Sequence, residues 1–317
     1  MASVELIEDG GAAAAEDEFF RSTQFLAAER TTHTLLVSDG ADEAAVPLVV
    51  RDIPGTDRRD AISPYSYPGA KSTGDPLDAT GLDLASSGLV SAFVRDRLGD
   101  PPAFANPTDR SVVLLADPEL PRKSRMSDRQ QIRKNEAAGY EVRIAEGPRA
   151  SDPDLDGFLS VYTETMRVVD AAEHYFFDRD YFRELLGSPR SWLVTVDGPE
   201  GDVAAAALAA VSDGFLHYYL SGTADAHRRR APSKNLIVAC TELAEELGMP
   251  LNLGGGVKPG DGLEEFKRGF ANRELPFRTH ELICDPAAYE ELSRGRDAEG
   301  FFPLYRAPAS AAPDADQ

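Results

Sequence analysis

The sequence predicts an α/β (α+β) protein of two domains, with mixed sheets flanked by helices, and three observations support this. The chain has 317 residues, 42% of them hydrophobic, which is enough for two domains with sizeable cores. In the second half, helical patterns alternate cleanly with short strand patterns, and turn residues separate them. The first half also contains short strands and helices, in a less regular order.

The first half begins its regular structure with a hairpin. Strands are expected over THTLLVSDG and AAVPLVVRDI, and again over SVVLLAD. Between them, SPYSYPGAKSTGDP is a loop rich in Pro, Gly and Ser, while GLVSAFVRDRL is ambiguous between helix and strand. The stretch SRMSDRQQIRKNEAAG then predicts a helix that ends at Gly139.

The second half opens with a strand over YEVRIAEG and continues with two amphipathic helices. Three strands follow, over SWLVTVDG, DVAAAALAAVSDG and GFLHYYLSGTA. The alanine-rich middle segment would be helical by propensity alone, but its place between two turn signals favours a strand. The pattern ends with a long helix, a strand, a helix, a strand and a helix, over APSKNLIVACTELAEELG, PLNLGGG, DGLEEFKRGF, FRTHELIC and PAAYEELS.

The helix that stops at Gly139 is followed at once by a new strand, and this predicts a domain boundary near residue 140. We expect an N-terminal domain over residues 1–140 and a C-terminal domain over 141–284. A C-terminal helix and return segment should occupy 285–306. The remaining residues, 307–317, have the composition of a disordered tail.

The chain is acidic, with a formal net charge of −21. This argues against a surface that attracts nucleic acid everywhere, but not against a local basic groove. Two basic clusters, at 122–134 and 227–234, are either solvated surface or an anion-binding surface. The longest apolar run, residues 203–211, is too short to span a bilayer, which takes ~20 residues. With no secretion signal at the N-terminus, a cytoplasmic location without a membrane span is expected.

Lys267 occupies an unusual position in the segment DGLEEFKRGF. Leu263, Phe266 and Phe270 recur at the spacing of one helical face, and Lys267 falls on the same face. Asp261 and Glu264 resemble a capping box, which supports a helix start here. Lys267 either reaches past the aromatic residues to water, pairs with a carboxylate, or serves a buried site.

The order of these elements resembles the Fem-type aminoacyltransferases. HYYLSG, the long helix after RRRAPS, LNLGGG and LEEFKRGF carry the resemblance, which covers roughly residues 60–290. It implies two tandem domains of the GNAT (N-acetyltransferase) fold. It also implies transfer of an aminoacyl group from aminoacyl-tRNA to an amine of a small-molecule or cell-wall precursor acceptor, with no bound cofactor. The acidic chain would then be an acyltransferase, with Lys267 matching the catalytic lysine of the family's FK motif.

Further candidates follow from the resemblance and from the residues themselves. Glycines let a ligand approach the backbone, although they equally suit a tight turn, and neighbouring tyrosines in a strand face opposite sides. Arginines and lysines hold phosphate groups. The candidate substrate-binding residues are Phe266, Gly254, Gly255, Gly256, Tyr218, Tyr219, Tyr65, Tyr67 and Arg167, and the candidate donor phosphate-binding residues are Arg228, Arg229, Arg230 and Lys234.

Other activities remain as alternatives. Acyl-coenzyme A enzymes of this fold usually carry Gln/Arg-x-x-Gly-x-Gly/Ala before the long helix, whereas this chain has RRRAPS, in which Pro232 lacks an N–H donor. An acetyl-CoA-dependent N-acyltransferase is therefore the second prediction, and an inactive binding module of the same fold is the third. The histidines lack metal-ligand spacing, so no metal is expected.

Overall fold

The computed structural model describes residues 2–99, 101–256, 258, 260–298 and 300–308. The chain forms two compact units, each assembled from separate stretches of sequence. Unit 1 consists of Met1–Ala14, Glu29–Arg110 and Arg278–Gln317, and unit 2 consists of Ala15–Ala28 and Ser111–Phe277. Residues 111–140, predicted to lie in the first domain, thus fall in unit 2, because Leu114, Ala116 and Tyr140 are buried in its hydrophobic core.

Unit 1 is built on a mostly antiparallel sheet. The hairpin predicted from the sequence is confirmed, and the ambiguous segment GLVSAFVRDRL contains a strand, Ser91–Arg95. The elements are β1 Ser3–Ile7, β2 His33–Asp39, β3 Asp42–Asp52, β4 Arg59–Ile62, β5 Lys71–Thr73, β6 Ser91–Arg95, the second part of β13 Arg273–Ile283, and helix α7 Pro286–Ser293. Strands β1 to β5 pair antiparallel, β4 pairs with β6 in parallel, and residues 279–283 of β13 pair antiparallel with β6.

Two acidic residues organise the interior of unit 1. Asp60 is fully buried, and it accepts hydrogen bonds from Arg51 and from Tyr305 and Arg306 of the C-terminal segment. Asp96 lies 2.8 Å from Nε2 of buried His280. Buried carboxylates need such partners, because an unpaired charge in the interior is strongly unfavourable. Most of the predicted tail, residues 309–317, lies outside the described residues, whereas Ala307 at its start is buried.

Unit 2 is a sheet with helices on both faces. Its elements are α1 Thr23–Ala28, the second part of β7 Thr108–Ala116, α2 Met126–Ala137, β8 Glu141–Glu146, α3 Asp152–Val168, α4 Arg179–Leu186, β9 Ser191–Asp197, β10 Val203–Ser212, β11 Phe215–Thr223, α5 Ser233–Glu246, β12 Leu251–Gly254 and α6 Gly262–Arg268. The strand order is β7-β12-β11-β10-β9-β8, in which β8 to β11 form an antiparallel meander.

The alanine-rich segment forms the central strand β10, which confirms the strand prediction over the helical propensity. Every residue from 204 to 212 is buried, as expected for a strand covered by helices on both faces. The small alanine side chains of β10 allow the covering helices to pack close to the sheet. On neighbouring β11 the approach is closer still, since a Cβ atom at Gly222 would lie 2.3 Å from the carbonyl oxygen of Val161 in α3.

No helix among the described residues has both the length and the apolar character needed to cross a membrane.

Candidate functional site

The parallel strands β11 and β12 separate shortly after they meet. Their ladder pairs Leu216 with Leu251 and His217 with Asn252, and no further pair is present among the described residues. Strand β11 continues to Thr223 with its other edge paired to β10. The two strands thus part after His217 and Asn252, and we call this point the strand fork. A widening gap between two parallel strands lets a ligand reach main-chain donors and acceptors.

A β-bulge marks the same place on β11. Ala209 pairs with Tyr218 and Leu208 pairs with Leu220, which leaves Tyr219 as the extra residue. Bulges concentrate beside active sites, because they re-aim side chains and end regular pairing. The fork and the bulge together single out residues 217–220 as the centre of a candidate site.

Tyr218 and Tyr219 face opposite sides of the sheet, as predicted. The ring of Tyr219 packs against that of Phe20 at 5.2 Å, and its hydroxyl lies 3.3 Å from the hydroxyl of Tyr181. Tyr218 packs on the hydrophobic core beneath α5, against which Phe266 also packs. Burial raises the pKa of Tyr218, so its hydroxyl stays protonated. Tyr218 and Phe266 thus share one side of unit 2.

Lys267 reaches from α6 to the glycine loop that follows β12. Its Nζ atom donates a hydrogen bond to the carbonyl oxygen of Gly255 at 2.7 Å. Burial lowers the pKa of Lys267 to about 8, and the charge of Asp261 partly opposes this effect. The lysine remains mainly protonated at pH 7. The ammonium is thus held by a main-chain carbonyl and forms no ion pair with a described carboxylate.

A side chain would collide with its surroundings at two of the three glycines of the loop, and at the third the backbone conformation favours glycine. Gly254 has φ +71°, and a Cβ atom there would lie 3.4 Å from Nζ of Lys267. At Gly255 it would lie 2.7 Å from the carbonyl oxygen of Val112, and at Gly256 it would lie 2.4 Å from Oδ1 of Asp261. The loop can therefore approach Lys267 and the start of α6 only because it lacks side chains.

The start of α6 differs in part from the prediction. Asp261 caps the helix by accepting a hydrogen bond from the backbone N–H of Glu264, as expected. The Glu264 carboxylate, however, accepts from Gly260 rather than from Asp261, so the capping box is only half formed. The predicted apolar face is also incomplete, because Leu263 is 43% exposed while Phe270 is buried.

The N-terminus of α5 has few free main-chain donors. Pro232 has no N–H group, and the N–H of Lys234 is bonded to the carbonyl of Ala231. Ala231 adopts the left-handed conformation, with φ +46°, and its own N–H is bonded to Arg228. This is a poor cradle for a pyrophosphate compared with an open glycine loop at a helix N-terminus.

The predicted phosphate-binding residues have different surroundings. Arg229 and Arg230 are exposed, and Arg228 is exposed but pairs with Asp225 at 2.6 Å. Lys234 pairs with Asp128 of α2 at 2.8 Å, with both side chains largely buried. A carboxylate therefore already compensates the charge of Lys234.

The two basic clusters lie side by side in the structure. The amide nitrogen of Asn135 in α2 donates to the carbonyl oxygen of Arg230 at 2.9 Å and to Oδ1 of Asn235 at 2.8 Å. A groove of about 390 Å³ runs between α2 and α5, with apolar lining from Val238 and Phe270. Its basic residues are Arg122, Lys123, Arg129 and Arg133. We call this groove and the adjoining residues 228–230 the basic groove.

The remaining candidates lie elsewhere. Tyr65 and Tyr67 belong to unit 1, where the backbone N–H of Tyr65 donates to Glu29 at 3.0 Å. Arg167 is exposed near the end of α3. Within the described part of the chain, no group of three or more His, Cys, Asp or Glu side chains is arranged to hold a metal ion.

Four features of the site did not follow from the sequence. The strand fork and the bulge depend on pairing between distant segments, and no local pattern encodes them. Asn135 reads as an ordinary polar residue on a charged helix, although it is fully buried. Asn252 lies in a predicted strand, and the only sequence feature that could have indicated its role is a polar amide in an apolar strand just before the glycines.

Comparisons with known proteins agree with this architecture. Residues 122–268 match the family model of the acetyltransferase (GNAT) domain. The structure is similar to that of FemX, with a TM-score of 0.61 at 10% identity, over 85% of this chain and 93% of that one. It is also similar to L-PGS from Bacillus licheniformis, with a TM-score of 0.52 at 14% identity, over 78% of this chain and 82% of that one.

A third similar structure is the C-terminal domain of a proposed lysylphosphatidylglycerol synthetase from Agrobacterium fabrum. Its TM-score is 0.51 at 14% identity, over 83% of this chain and 86% of that one. No curated protein matches the sequence significantly. The predicted α/β fold is confirmed, and the fold is similar to that of FemX. The GNAT acetyltransferase domain matched over residues 122–268 supports the prediction of an acyltransferase.

Proposed function

We propose that this protein is an N-acyltransferase of Fem type. It would transfer an aminoacyl group from aminoacyl-tRNA to an amine of a small-molecule or cell-wall precursor acceptor. The observation that carries this proposal is the protonated, largely buried Lys267, held by the Gly255 carbonyl beside the strand fork. The similarity to FemX and to a proposed lysylphosphatidylglycerol synthetase supports an aminoacyl donor.

The reaction needs a cation where Lys267 lies. The amine nitrogen attacks the carbonyl carbon of the ester that joins the amino acid to the terminal ribose, and the carbonyl oxygen takes the negative charge. Collapse of this intermediate breaks the carbon–oxygen bond to the ribose. The proton lost by the amine ends on the ribose oxygen. An ammonium placed in advance in a partly dry site stabilises the negative oxygen by several kcal/mol.

The basic groove supports a nucleic-acid donor. Lys123, Arg129 and Arg133 form no ion pair with a described carboxylate, although the protein as a whole is acidic. The residues of α2 that line the groove run from Arg129 to Glu136, which is about 10 Å of helix and long enough for more than one phosphate. The α5 N-terminus, with Pro232 and the bonded N–H of Lys234, favours phosphate recognition by side chains over recognition by main-chain donors.

Donor binding provides the test. The probes are an acceptor-stem RNA hairpin with an amide-linked amino acid at its 3′ end, the same hairpin without the amino acid, and acetyl-CoA. We expect the aminoacylated hairpin to bind most tightly and its Kd to rise steeply with salt. The double variant Arg129→Glu, Arg133→Glu should weaken this binding, while Arg149→Glu, an exposed arginine elsewhere in unit 2, should not. Stabilisation by acetyl-CoA without any response to the hairpins would instead establish an acyl-CoA enzyme.

A further inference from the structure

The two residues at the strand fork are bonded to each other through their side chains. His217 and Asn252 form the last pair of the β11–β12 ladder. The amide nitrogen of Asn252 lies 3.0 Å from Nδ1 of His217, and both residues are buried. The strands therefore separate immediately after a polar contact that lies inside the protein.

The hydrogen bonds assign the histidine tautomer. Nε2 of His217 lies 3.1 Å from the carbonyl oxygen of Ser212, which can only accept. Nε2 therefore carries the hydrogen, and Nδ1 accepts from the amide of Asn252. Burial lowers the pKa of His217 to about 4, so the ring is neutral at pH 7.

Asn252 connects this pair to the glycine loop. Its Oδ1 atom accepts a hydrogen bond from the backbone N–H of Gly254 at 2.8 Å. That bond holds the turn at Gly254, whose φ is +71°. The next carbonyl along the chain, that of Gly255, accepts from Nζ of Lys267. The contacts thus run without a break from Ser212 through His217, Asn252 and the glycine loop to Lys267.

We propose that His217 and Asn252 are positioning residues, which act through the Gly254–Gly255 turn to orient the ammonium of Lys267 at the strand fork. The proposal rests on the proposed role of Lys267 in acyl transfer. Neither residue needs to touch the substrate. A neutral histidine suits this task, because its fixed tautomer accepts from Asn252 without placing a second charge near Lys267.

Few charged groups act on this chain of contacts. On the side of His217, Asp213 is the acidic residue whose charge acts on the ring, and it is paired with Arg21 at 2.6 Å. Glu18 accepts from the hydroxyl of Ser212 and from the N–H of Asp213. On the side of Lys267, Asp261 is the group whose charge acts on the ammonium. These residues are unchanged in the variants below, so any new pH dependence arises at the contact between residues 217 and 252.

Asn252→Asp is the informative substitution. The carboxylate keeps an acceptor for Gly254 N–H but loses the donor to His217. The ring can then keep its bond to the Ser212 carbonyl and also donate from Nδ1 to residue 252 only when His217 is protonated, and the added negative charge raises the pKa of His217. We expect the ratio of variant to wild-type kcat to be about 0.1 or lower at pH 8 and to recover as the pH falls toward 6. KM for the donor should change little.

The assay uses hydroxylamine as a generic acceptor amine and measures the hydroxamate formed. It is run with aminoacylated RNA hairpin and with acetyl-CoA, so the result does not depend on which donor is used. Taking the ratio to wild type at each pH cancels the ionisation of hydroxylamine. Asn272→Asp is the matched control, because Asn272 also forms internal amide hydrogen bonds, with Asp117. It should show no recovery at acidic pH.

A second measurement needs no turnover. Asn252→Ala should speed hydrogen exchange in the peptide 251–256 and change the rate at which an N-hydroxysuccinimide ester acylates Lys267. If these changes occur but Lys267→Met retains full activity, the positioning contact stands and the proposed role of Lys267 fails. A pH-independent ratio for Asn252→Asp, or unchanged exchange and labelling in Asn252→Ala, would overturn the positioning role.

Discussion

The Nζ atom of Lys267 lies 2.7 Å from the carbonyl oxygen of Gly255, and this bond ties helix α6 to the loop after β12. No described carboxylate forms an ion pair with the lysine. An ammonium has three N–H donors, and the carbonyl requires only one of them. The positive charge is therefore not neutralised in an ion pair, and under the proposed mechanism it acts on the anionic oxygen of the reacting ester.

Removing this charge should abolish most of the activity. We expect Lys267→Met to lower kcat by about 10²-fold or more while donor binding is largely kept, because the charge matters most once the oxyanion develops. The measurement is hydroxamate formation under saturating donor, with circular dichroism as the check on folding. Lys71→Met, at an exposed position in β5, is the matched control and should retain full activity. Wild-type turnover in the Lys267→Met protein would exclude Lys267 from the mechanism.

The activity should decline in alkaline solution. Because the pKa of Lys267 is about 8, the ammonium is lost as the pH rises through that value. A rate that needs the charged form then falls above pH 8, even as the acceptor amine becomes more reactive. Initial rates between pH 6 and 10 measure this. In Lys267→Arg the side chain stays charged throughout, so any activity that it retains should show no decline near pH 8.

Stability should change in the opposite direction to activity. Burying the charged lysine opposes folding, so Lys267→Met should raise the free energy of unfolding at pH 7 by about 1 to 3 kcal/mol. Between pH 8 and the ordinary lysine value near 10.5, the unfolded chain binds more protons than the folded one. The free energy of unfolding of the wild type therefore rises with pH across this window. The difference in unfolding free energy between the wild type and Lys267→Met should become smaller.

Urea unfolding of both proteins at pH 7 and pH 10 provides the comparison. A wild-type protein that is more stable than Lys267→Met at pH 7 would show that the ammonium has a stabilising partner in the folded state.

Asn135 should link stability to donor binding. Asn135→Leu removes the donor to Arg230 and Asn235 and leaves a buried carbonyl oxygen without that partner, at a cost of about 1 to 3 kcal/mol. The segment 228–230 should then lose its fixed position beside α2, and hairpin RNA should bind more weakly. Fluorescence anisotropy with the aminoacylated hairpin measures this effect. Ser191→Ala, which removes another buried hydrogen-bonding group of unit 2 away from the basic groove, should lower stability without weakening RNA binding.

Local patterns in the sequence were enough for most of the elements. The alternation of turn signals located β9, β10 and β11 correctly, and this outweighed the helical propensity of the alanines in β10. The cap at Asp261 and the helix after it were also predicted. These features depend on residues within a few positions of one another, so a single sequence contains the necessary information.

Features formed by distant segments were not predicted. The environment of Lys267 depends on where β12 ends relative to β11, and that register involves residues about 35 positions apart, such as His217 and Asn252. The partner of Lys234 is Asp128, on a helix about 100 residues earlier. Periodicity within one segment contains no information about such pairs.

Both units need chain segments that are synthesised far apart in time. Phe20 and Arg21 are made early, yet Arg21 pairs with Asp213 and Phe20 packs on His217, about 190 residues later. In unit 1, Asp60 obtains its partners Tyr305 and Arg306 only near the end of synthesis. During translation neither unit can complete its core until most of the chain has left the ribosome. Folding should thus be largely post-translational, and dividing the chain near residue 140 should yield two unfolded fragments rather than two domains.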